Sequence, residues 1–222
     1  MSQMMHLVRH AQASFGAADY DNLSDLGHRQ SIALGVALKR QGVRPDKVFI
    51  GAMKRHRQTW EGMAAGMGPD AEPEILPGLN EFDFTGLLNA RFADGGAPKG
   101  MHDDRRAHFR TLRDTMLMWQ RDEIDTPPEQ FADFSARVRD ARDQIAASGV
   151  STALAVSSGG AIGRTVAEIT GGPADQMIAL QLQVKNCAVA RLVISRNGTW
   201  LNGFNETPHI TAENEQEMLT YS

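Results

Sequence analysis

The sequence is poor in cysteine and in long apolar runs. It has a single cysteine, Cys187, among 222 residues, so no internal disulfide can form, and such usage is typical of a reducing compartment. Cys187 falls in an apolar strand pattern, which favours a small core residue over a nucleophile. We see no secretory signal, and no apolar run approaches the ~20 residues that span a bilayer. These features predict a cytoplasmic protein without a membrane partner.

The sequence also lacks an excess of positive charge. Its formal net charge is −4, with 41% apolar and 23% charged residues, as in ordinary globular proteins. A protein of this charge has no global field that would recruit nucleic acid, so an anionic ligand would need locally concentrated positive charge. No metal-ligand spacing of His, Cys or carboxylates is present. We therefore expect no metal, no cofactor and no nucleic-acid partner.

Short apolar runs alternate with amphipathic helical patterns along most of the chain. The runs at residues 4–8, 47–50, 74–76 and 152–157 are typical of buried strands. Two further apolar runs, 187–194 and 199–204, flank an Asn-Gly pair, which is a strong hairpin signal. This order predicts one α/β domain over residues 1–222, folded as a three-layer α/β/α sandwich with a mostly parallel sheet and a C-terminal β-hairpin.

The region between the third and fourth strands does not fit this alternation. Residues 85–104 are rich in Gly and Asp with little periodicity, and we expect an irregular excursion over the active face. Helices are predicted from His102 to about Glu123 and again after Pro128, so that residues 82–140 form a cap-like insertion. The polar tail after His209 is expected to fray.

Polar side chains follow each of the four predicted parallel strands. Because the carboxyl ends of parallel strands meet at one edge of a sheet, we expect these groups to converge there. Forked guanidinium donors and a glycine turn at a helix N-terminus suit a phosphoryl group. The converging residues are Arg9 and His10, then Arg55, then Glu81, and finally Ser158, Gly159 and Gly160.

The order of these motifs resembles that of the histidine phosphatase, or phosphoglycerate-mutase-like, superfamily. Residues 8–11, Val-Arg-His-Ala, are similar to its Arg-His-Gly motif. Residues 51–59, Gly-Ala-Met-Lys-Arg-His-Arg-Gln-Thr, resemble its Ser-x-x-x-Arg-Ala-x-Gln-Thr motif. Residues 79–86 resemble its Leu-x-Glu-x-x-Phe/Tyr-Gly pattern. Weaker similarity extends over residues 23–30, 185–187 and 204–209, so the resemblance covers nearly the whole chain.

The resemblance implies a role for each converging group. His10 would attack phosphorus and form a phosphohistidine, and Glu81 would protonate the leaving oxygen. Asp83 is the competing carboxylate. The residues expected to contact the substrate are Arg9, Arg55, Ser158, Gly159 and Gln12.

One position departs from the family pattern. The family's fourth motif is Val-Ser-His-Gly-Gly, whereas this chain has Ser158 in place of the histidine. Replacing a charge-assisted hydrogen bond by a neutral one costs roughly 1–2 kcal/mol, or about 5- to 30-fold in rate. Two other histidines, His28 and His56, are predicted on helix surfaces, and Arg57 is predicted to face solvent.

Three functions stay open at this point. The leading hypothesis is a phosphomonoesterase that hydrolyses a small-molecule phosphate ester. A phosphoglycerate mutase is the second, although no basic insertion is evident in residues 85–104 to bind the carboxylate of its substrate. A catalytically weak or inactive phosphate-binding protein of the same fold is the third, because of Ser158. A homodimer is one open assembly state.

Overall fold

The computed structural model describes residues 2–14, 21–68, 71–96 and 105–221, without the side chains of 105–109. Within these ranges the strands are β1 (Gln3–Arg9), β2 (Lys47–Ile50), β3 (Glu74–Ile75), β4 (Thr152–Ser157), β5 (Val189–Ser195) and β6 (Gly198–Glu206). The helices are α1 (Asp25–Arg40), α2 (Lys54–Met67), α3 (Phe84–Arg91), α4 (Arg105–Gln120), α5 (Phe131–Ala147), α6 (Gly159–Ile169), α7 (Gln176–Gln181) and α8 (Glu215–Met218). None of these described helices is long and apolar enough to span a membrane.

The strands form one mixed sheet in the order β3-β2-β4-β1-β5-β6. The first four strands of this order are parallel, and β5 and β6 follow as an antiparallel hairpin on the far side of β1. Arg9 at the end of β1 lies opposite Ser157 at the end of β4. The predicted mostly parallel sheet with a C-terminal hairpin is therefore confirmed, and the ends of the parallel strands meet at one edge.

Helices cover both faces of the sheet, as side-chain alternation along β1 requires. Leu7 points to the face covered by α5 and α6, where it joins a core that includes Ile145 and Ile162. Val8 points to the opposite face and packs in a core with Leu34 of α1 and Met63 of α2. The three-layer α/β/α arrangement is confirmed.

The segment between β3 and β4 differs from the prediction. Residues 84–91 form α3 rather than an irregular loop, because the Asp83 carboxylate accepts a 2.8 Å hydrogen bond from the Gly86 N–H and caps the helix. The predicted helix start at His102 lies outside the described residues, as do residues 97–104. Helices α3 to α7 enclose a separate apolar cluster around Phe82 and Trp119.

Two further expectations are wrong. Cys187 is a buried core residue, as predicted, but it lies in the loop before β5, with a φ of 56°, and not in the strand itself. The tail does not fray, because Gln30 Nε2 donates to the Met218 carbonyl and to Thr220 Oγ1, both at 2.8 Å. An Arg9 N–H also donates to the Tyr221 carbonyl at 2.6 Å. The tail therefore lies against the end of β1.

Candidate active site

His10 follows β1 directly and is almost completely buried, with 5% of its surface exposed. Its backbone N–H donates to the Ser157 carbonyl at 2.9 Å, which extends the pairing between β1 and β4. Its Nδ1 atom lies 2.7 Å from the Ala11 carbonyl oxygen, which can only accept a hydrogen bond. Nδ1 therefore carries the hydrogen, and in the neutral ring Nε2 keeps its lone pair.

The charge state of His10 suits a nucleophile. Burial lowers its pKa well below the usual value, and the Arg55 and Arg9 guanidiniums lower it further. The hydrogen bond to Ala11 opposes this shift without reversing it. The imidazole is consequently neutral at physiological pH, with two cationic groups close enough to act on it.

Arg55 lies in the first turn of α2 and is also nearly fully buried. An Arg55 N–H donates to the Asp21 carboxylate at 2.7 Å, and Asp21 is about one-third exposed. Thr59 connects this turn to the end of β1, because its hydroxyl donates to the Arg55 carbonyl at 2.6 Å and accepts from the Ala11 N–H at 3.0 Å. The turn of α2 that carries Arg55 is thus tied to the backbone next to His10.

The loop that carries Glu81 is held on three sides. The Ser157 hydroxyl donates to the Leu79 carbonyl at 2.7 Å, and an Arg137 N–H donates to the Asn80 carbonyl at 2.8 Å. The Asn80 side-chain oxygen accepts from the Ala52 N–H at 2.7 Å, just before α2. The Ser157 hydroxyl is fully buried, so without the Leu79 carbonyl it would be a buried polar group in need of a partner. The loop is therefore tied to β4, α5 and the start of α2.

Glu81 reaches the start of α6, where its Oε2 atom accepts a 2.9 Å hydrogen bond from the Gly160 N–H. Burial raises the pKa of Glu81, and this effect exceeds the opposing influence of Gly160 and of the Arg55 and Arg9 guanidiniums. A carboxyl whose pKa is raised keeps its proton to a higher pH than an ordinary glutamate, which suits a proton donor.

The predicted surface position of His56 is wrong. The ring is fully buried, its Nε2 atom lies 2.8 Å from Ser158 Oγ, and its centroid lies 5.8 Å from that of His10. Burial, helped by the Arg55 charge, lowers the pKa of His56 to about 3, so the ring is neutral. The charged run around His56 suggested an exposed helix face, and the signal that sequence reasoning missed was Gly51, which leaves space for the ring.

The other predicted contact residues lie near the same edge. Gln12 uses its side-chain oxygen to accept from Ser24 Oγ at 2.7 Å, so this atom is engaged at the start of α1. A Cβ added at Gly159 would lie 3.7 Å from Arg9 Nε, which places the first residue of α6 beside that guanidinium. The structure thus groups the predicted residues, while their chemical roles stay predictions. His28 is exposed, as predicted.

No cluster of three or more His, Cys, Asp or Glu side chains that could hold a metal ion occurs among residues 2–14, 21–68, 71–96 and 110–221. The positive charge near His10 comes from guanidiniums. The edge of the sheet presents a neutral imidazole, two arginines and a half-buried carboxyl with a raised pKa. This set is suited to phosphoryl transfer.

Comparison with known proteins agrees with this chemistry. The sequence profile of the Histidine phosphatase superfamily (branch 1) matches residues 5–207. The chain is 26% identical over 197 residues to a 2,3-bisphosphoglycerate-dependent phosphoglycerate mutase of Mesorhizobium japonicum, covering 82% of this chain and 88% of that protein. It is 32% identical over 149 residues to the protein of the same description from Methylocella silvestris, covering 62% and 66%.

A solved structure shows the same fold. The alpha-ribazole phosphatase of Shigella flexneri superposes with a TM-score of 0.68 at 22% identity, covering 92% of this chain and 97% of that one. Together with the match of the family profile over nearly the whole chain, this defines the class of protein. The chain belongs to the histidine phosphatase superfamily, branch 1.

Proposed function

We propose that this protein is a phosphomonoesterase that works through a phosphohistidine at His10. The observation that carries the proposal is the pairing of a neutral His10, whose Nδ1 hydrogen is held by Ala11, with a half-buried Glu81 of raised pKa. One group has a lone pair for attack, and the other keeps its proton to a higher pH than an ordinary glutamate. When the environments of two neighbouring titratable groups shift their pKa values in opposite directions, one group is suited to act as an acid and the other as a nucleophile.

The first step forms a bond between His10 Nε2 and phosphorus and breaks the bond between phosphorus and the ester oxygen. The Glu81 carboxyl transfers its proton to the leaving oxygen, so an alcohol departs. The Arg9 and Arg55 guanidiniums balance the negative charge of the transferring phosphoryl group. In the second step the Glu81 carboxylate takes a proton from water, whose oxygen attacks phosphorus, and the bond to Nε2 breaks. Inorganic phosphate and neutral His10 remain.

Phosphoglycerate mutase is the second candidate, because the curated relatives described above carry that description. A mutase must hold the carboxylate of its substrate while it returns the phosphoryl group. Arg91 is the cation that α3 contributes, yet it donates to the Thr115 hydroxyl at 2.7 Å and to the Thr111 carbonyl at 3.2 Å. This engagement argues against Arg91 as the group that holds the carboxylate of a mutase substrate.

A steady-state assay separates these functions. The purified protein is offered para-nitrophenyl phosphate and a panel of phosphorylated metabolites that includes 3-phosphoglycerate, with and without 2,3-bisphosphoglycerate. Inorganic phosphate and 2-phosphoglycerate are measured. We expect phosphate release that is lost in His10→Ala and kept in the exposed control His28→Ala. Formation of 2-phosphoglycerate without phosphate release would support the mutase. Phosphate binding without turnover of any ester would support the non-catalytic alternative.

The remaining expectations about cell biology stay predictions. They are a cytoplasmic location, a small-molecule phosphate ester as partner rather than nucleic acid or membrane, and a homodimer as one open assembly state.

A further inference from the structure

Ser158 occupies the N-cap position of α6, but its side chain does not cap the helix. A serine at this position ordinarily accepts a hydrogen bond from an N–H of the first turn. Here Oγ lies 2.8 Å from His56 Nε2 instead, and both side chains are fully buried. An N-cap hydrogen bond stabilises a helix by about 1 kcal/mol. Ser158 forgoes this bond and orients its hydroxyl toward His56, so this orientation needs a physical reason.

The space for the His56 ring is made by Gly51. A Cβ added at Gly51 would lie 2.2 Å from His56 Nδ1, closer than any two such atoms can approach. Any other residue at this position would push the ring away from Ser158. The 2.8 Å contact between His56 and Ser158 therefore depends on the absence of a side chain at the end of β2.

The three positions that make this contact are also places where the chain differs from the family motifs. Gly51 stands where the motif has serine, His56 where it has alanine, and Ser158 where it has histidine. An imidazole is missing at the end of β4 and present in the first turn of α2. The smaller side chain at position 158 and the larger one at position 56 compensate each other in space, because the His56 ring contacts the Ser158 hydroxyl.

We propose that His56 is a positioning residue that acts through Ser158, so that the pair donates to the phosphoryl group in place of a histidine at position 158. This rests on the proposed function. A hydroxyl has one hydrogen and can both accept and donate. The 2.8 Å contact by itself allows either group to donate. We place the ring hydrogen on His56 Nε2, because the buried Nδ1 has no hydrogen-bond partner of good geometry among the described residues. With Nε2–H donating to Ser158 Oγ, the Ser158 hydrogen is directed away from the ring, where it can reach a phosphoryl oxygen. The opposite arrangement would present only lone pairs to an anion, which would repel it.

The position of the pair supports this role. Ser158 follows Ser157, whose carbonyl binds the His10 N–H, so the hydroxyl and the nucleophile lie on adjacent strands at the same edge. The rings of His56 and His10 are 5.8 Å apart. A buried neutral donor keeps its full strength in such an environment, and charge-assisted hydrogen bonds to a phosphoryl oxygen are the strong class.

The test uses two substitutions of matched shape. His56→Gln keeps an N–H donor close to the position of Nε2, and His56→Met fills a similar volume without a donor. Ser158→Ala, the double variant His56→Met/Ser158→Ala and the exposed control His28→Ala complete the set. For each variant, kcat and KM are measured with para-nitrophenyl phosphate, Kd is measured with inorganic phosphate, and folding is checked by thermal unfolding.

If the pair acts as a unit, Ser158→Ala and His56→Met each lower kcat about 5- to 30-fold with little change in KM, and the double variant is no worse than either. His56→Gln retains most of the wild-type kcat. The proposal would be overturned if the loss of kcat in the double variant equalled the product of the two single losses. It would also be overturned if His56→Gln and His56→Met had equal kcat.

A failure of the proposed function would look different. If the wild-type protein hydrolyses no ester, the affinity for inorganic phosphate still reports on the pair. Weaker binding in His56→Met with normal binding in His56→Gln supports the role of His56. Equal Kd values in these two variants contradict it, whether or not the protein is a phosphatase.

Discussion

The Gly160 N–H donates a 2.9 Å hydrogen bond to Glu81 Oε2, and this contact joins the carboxyl to the first turn of α6. The other carboxyl oxygen, Oε1, is also close to Gly160. A Cβ added at Gly160 would lie 2.2 Å from Glu81 Oε1 and 2.6 Å from the Phe82 ring. The absence of a side chain at Gly160 thus allows the Glu81 carboxyl to lie against the first turn of α6. That position can be tested without changing the carboxyl itself.

Gly160→Ala should displace Glu81 and weaken proton donation. A catalytic group that is misplaced by about 1 Å costs on the order of 100-fold in rate. We expect a loss of about this size with an alkyl phosphate, whose leaving oxygen needs the proton, and a much smaller loss with para-nitrophenyl phosphate, whose phenolate leaves unaided. The ratio of kcat/KM for the two esters is the measurement, and the second ester serves as the control. An unchanged ratio would show that Glu81 is not the acid.

The pH profile should identify the acid by a second route. With an alkyl phosphate, kcat/KM should fall as pH rises through the raised pKa of Glu81, because only the protonated carboxyl donates. It should fall at low pH as His10, whose pKa is lowered, becomes protonated and loses its lone pair. Glu81→Gln removes the fall at high pH and lowers the plateau. Asp83→Asn should leave the profile intact, because Asp83 caps α3 and asparagine caps equally well. A fall at high pH that persists in Glu81→Gln would refute the assignment.

The sequence sufficed to locate the sheet and most of the site because those features are local. The boundaries of β2 and β4 agree with the predicted apolar runs at 47–50 and 152–157, since each run ends at a clear stop signal. The grouping of His10, Arg55 and Glu81 follows from the parallel topology. His56 could not be placed in this way, because its burial depends on Gly51, which lies five residues earlier and matters only through the missing Cβ. Tertiary contact outweighed the charged pattern of the helix.

The ordered tail and α3 were missed for similar reasons. The tail is held by a contact between Gln30 and Met218, which are nearly 190 residues apart in the sequence. The polar composition of the tail does not predict this contact. The segment that forms α3 has weak hydrophobic periodicity, so its sequence did not predict a helix. The Asp83 carboxylate caps the N-terminus of this helix.

Arg55 and Arg57 form a matched pair of arginines on α2. Arg55 is buried near His10, whereas Arg57 is partly exposed and 3.3 Å from Glu72 at the surface. Loss of a hydrogen bond to a charged group costs about 1.5–3 kcal/mol, so Arg55→Ala should weaken phosphate binding about 10- to 150-fold. Arg57→Ala should change it little, because exposed ion pairs contribute little. Calorimetric titration with inorganic phosphate measures both, and equal affinities in the two variants would exclude Arg55 from the site.

His209 should make folding sensitive to acid. Its ring is buried, both nitrogens lack a hydrogen-bond partner among the described residues, and burial lowers its pKa to about 4. Between pH 6.5 and 4 the unfolded state binds a proton that the folded state does not. The free energy of unfolding should therefore fall as pH drops through this window, by about 1.4 kcal/mol per unit for one such group.

His209→Gln should remove this contribution, so that its unfolding free energy depends less steeply on pH than that of the wild type. Urea unfolding at pH 7, 6, 5 and 4.5 provides the comparison, with exposed His28→Gln as control. Parallel curves for the wild type and His209→Gln would contradict the burial of a neutral His209.

The most direct test of the central claim is to trap the phosphoenzyme. The wild-type protein and His10→Ala are mixed briefly with a radiolabelled phosphate ester, quenched in alkali, where phosphohistidine survives, and digested for peptide mapping. The account predicts label on His10 in the wild type, no label in His10→Ala, and loss of the label in acid. Ester turnover without label, or equal turnover by His10→Ala, would contradict it.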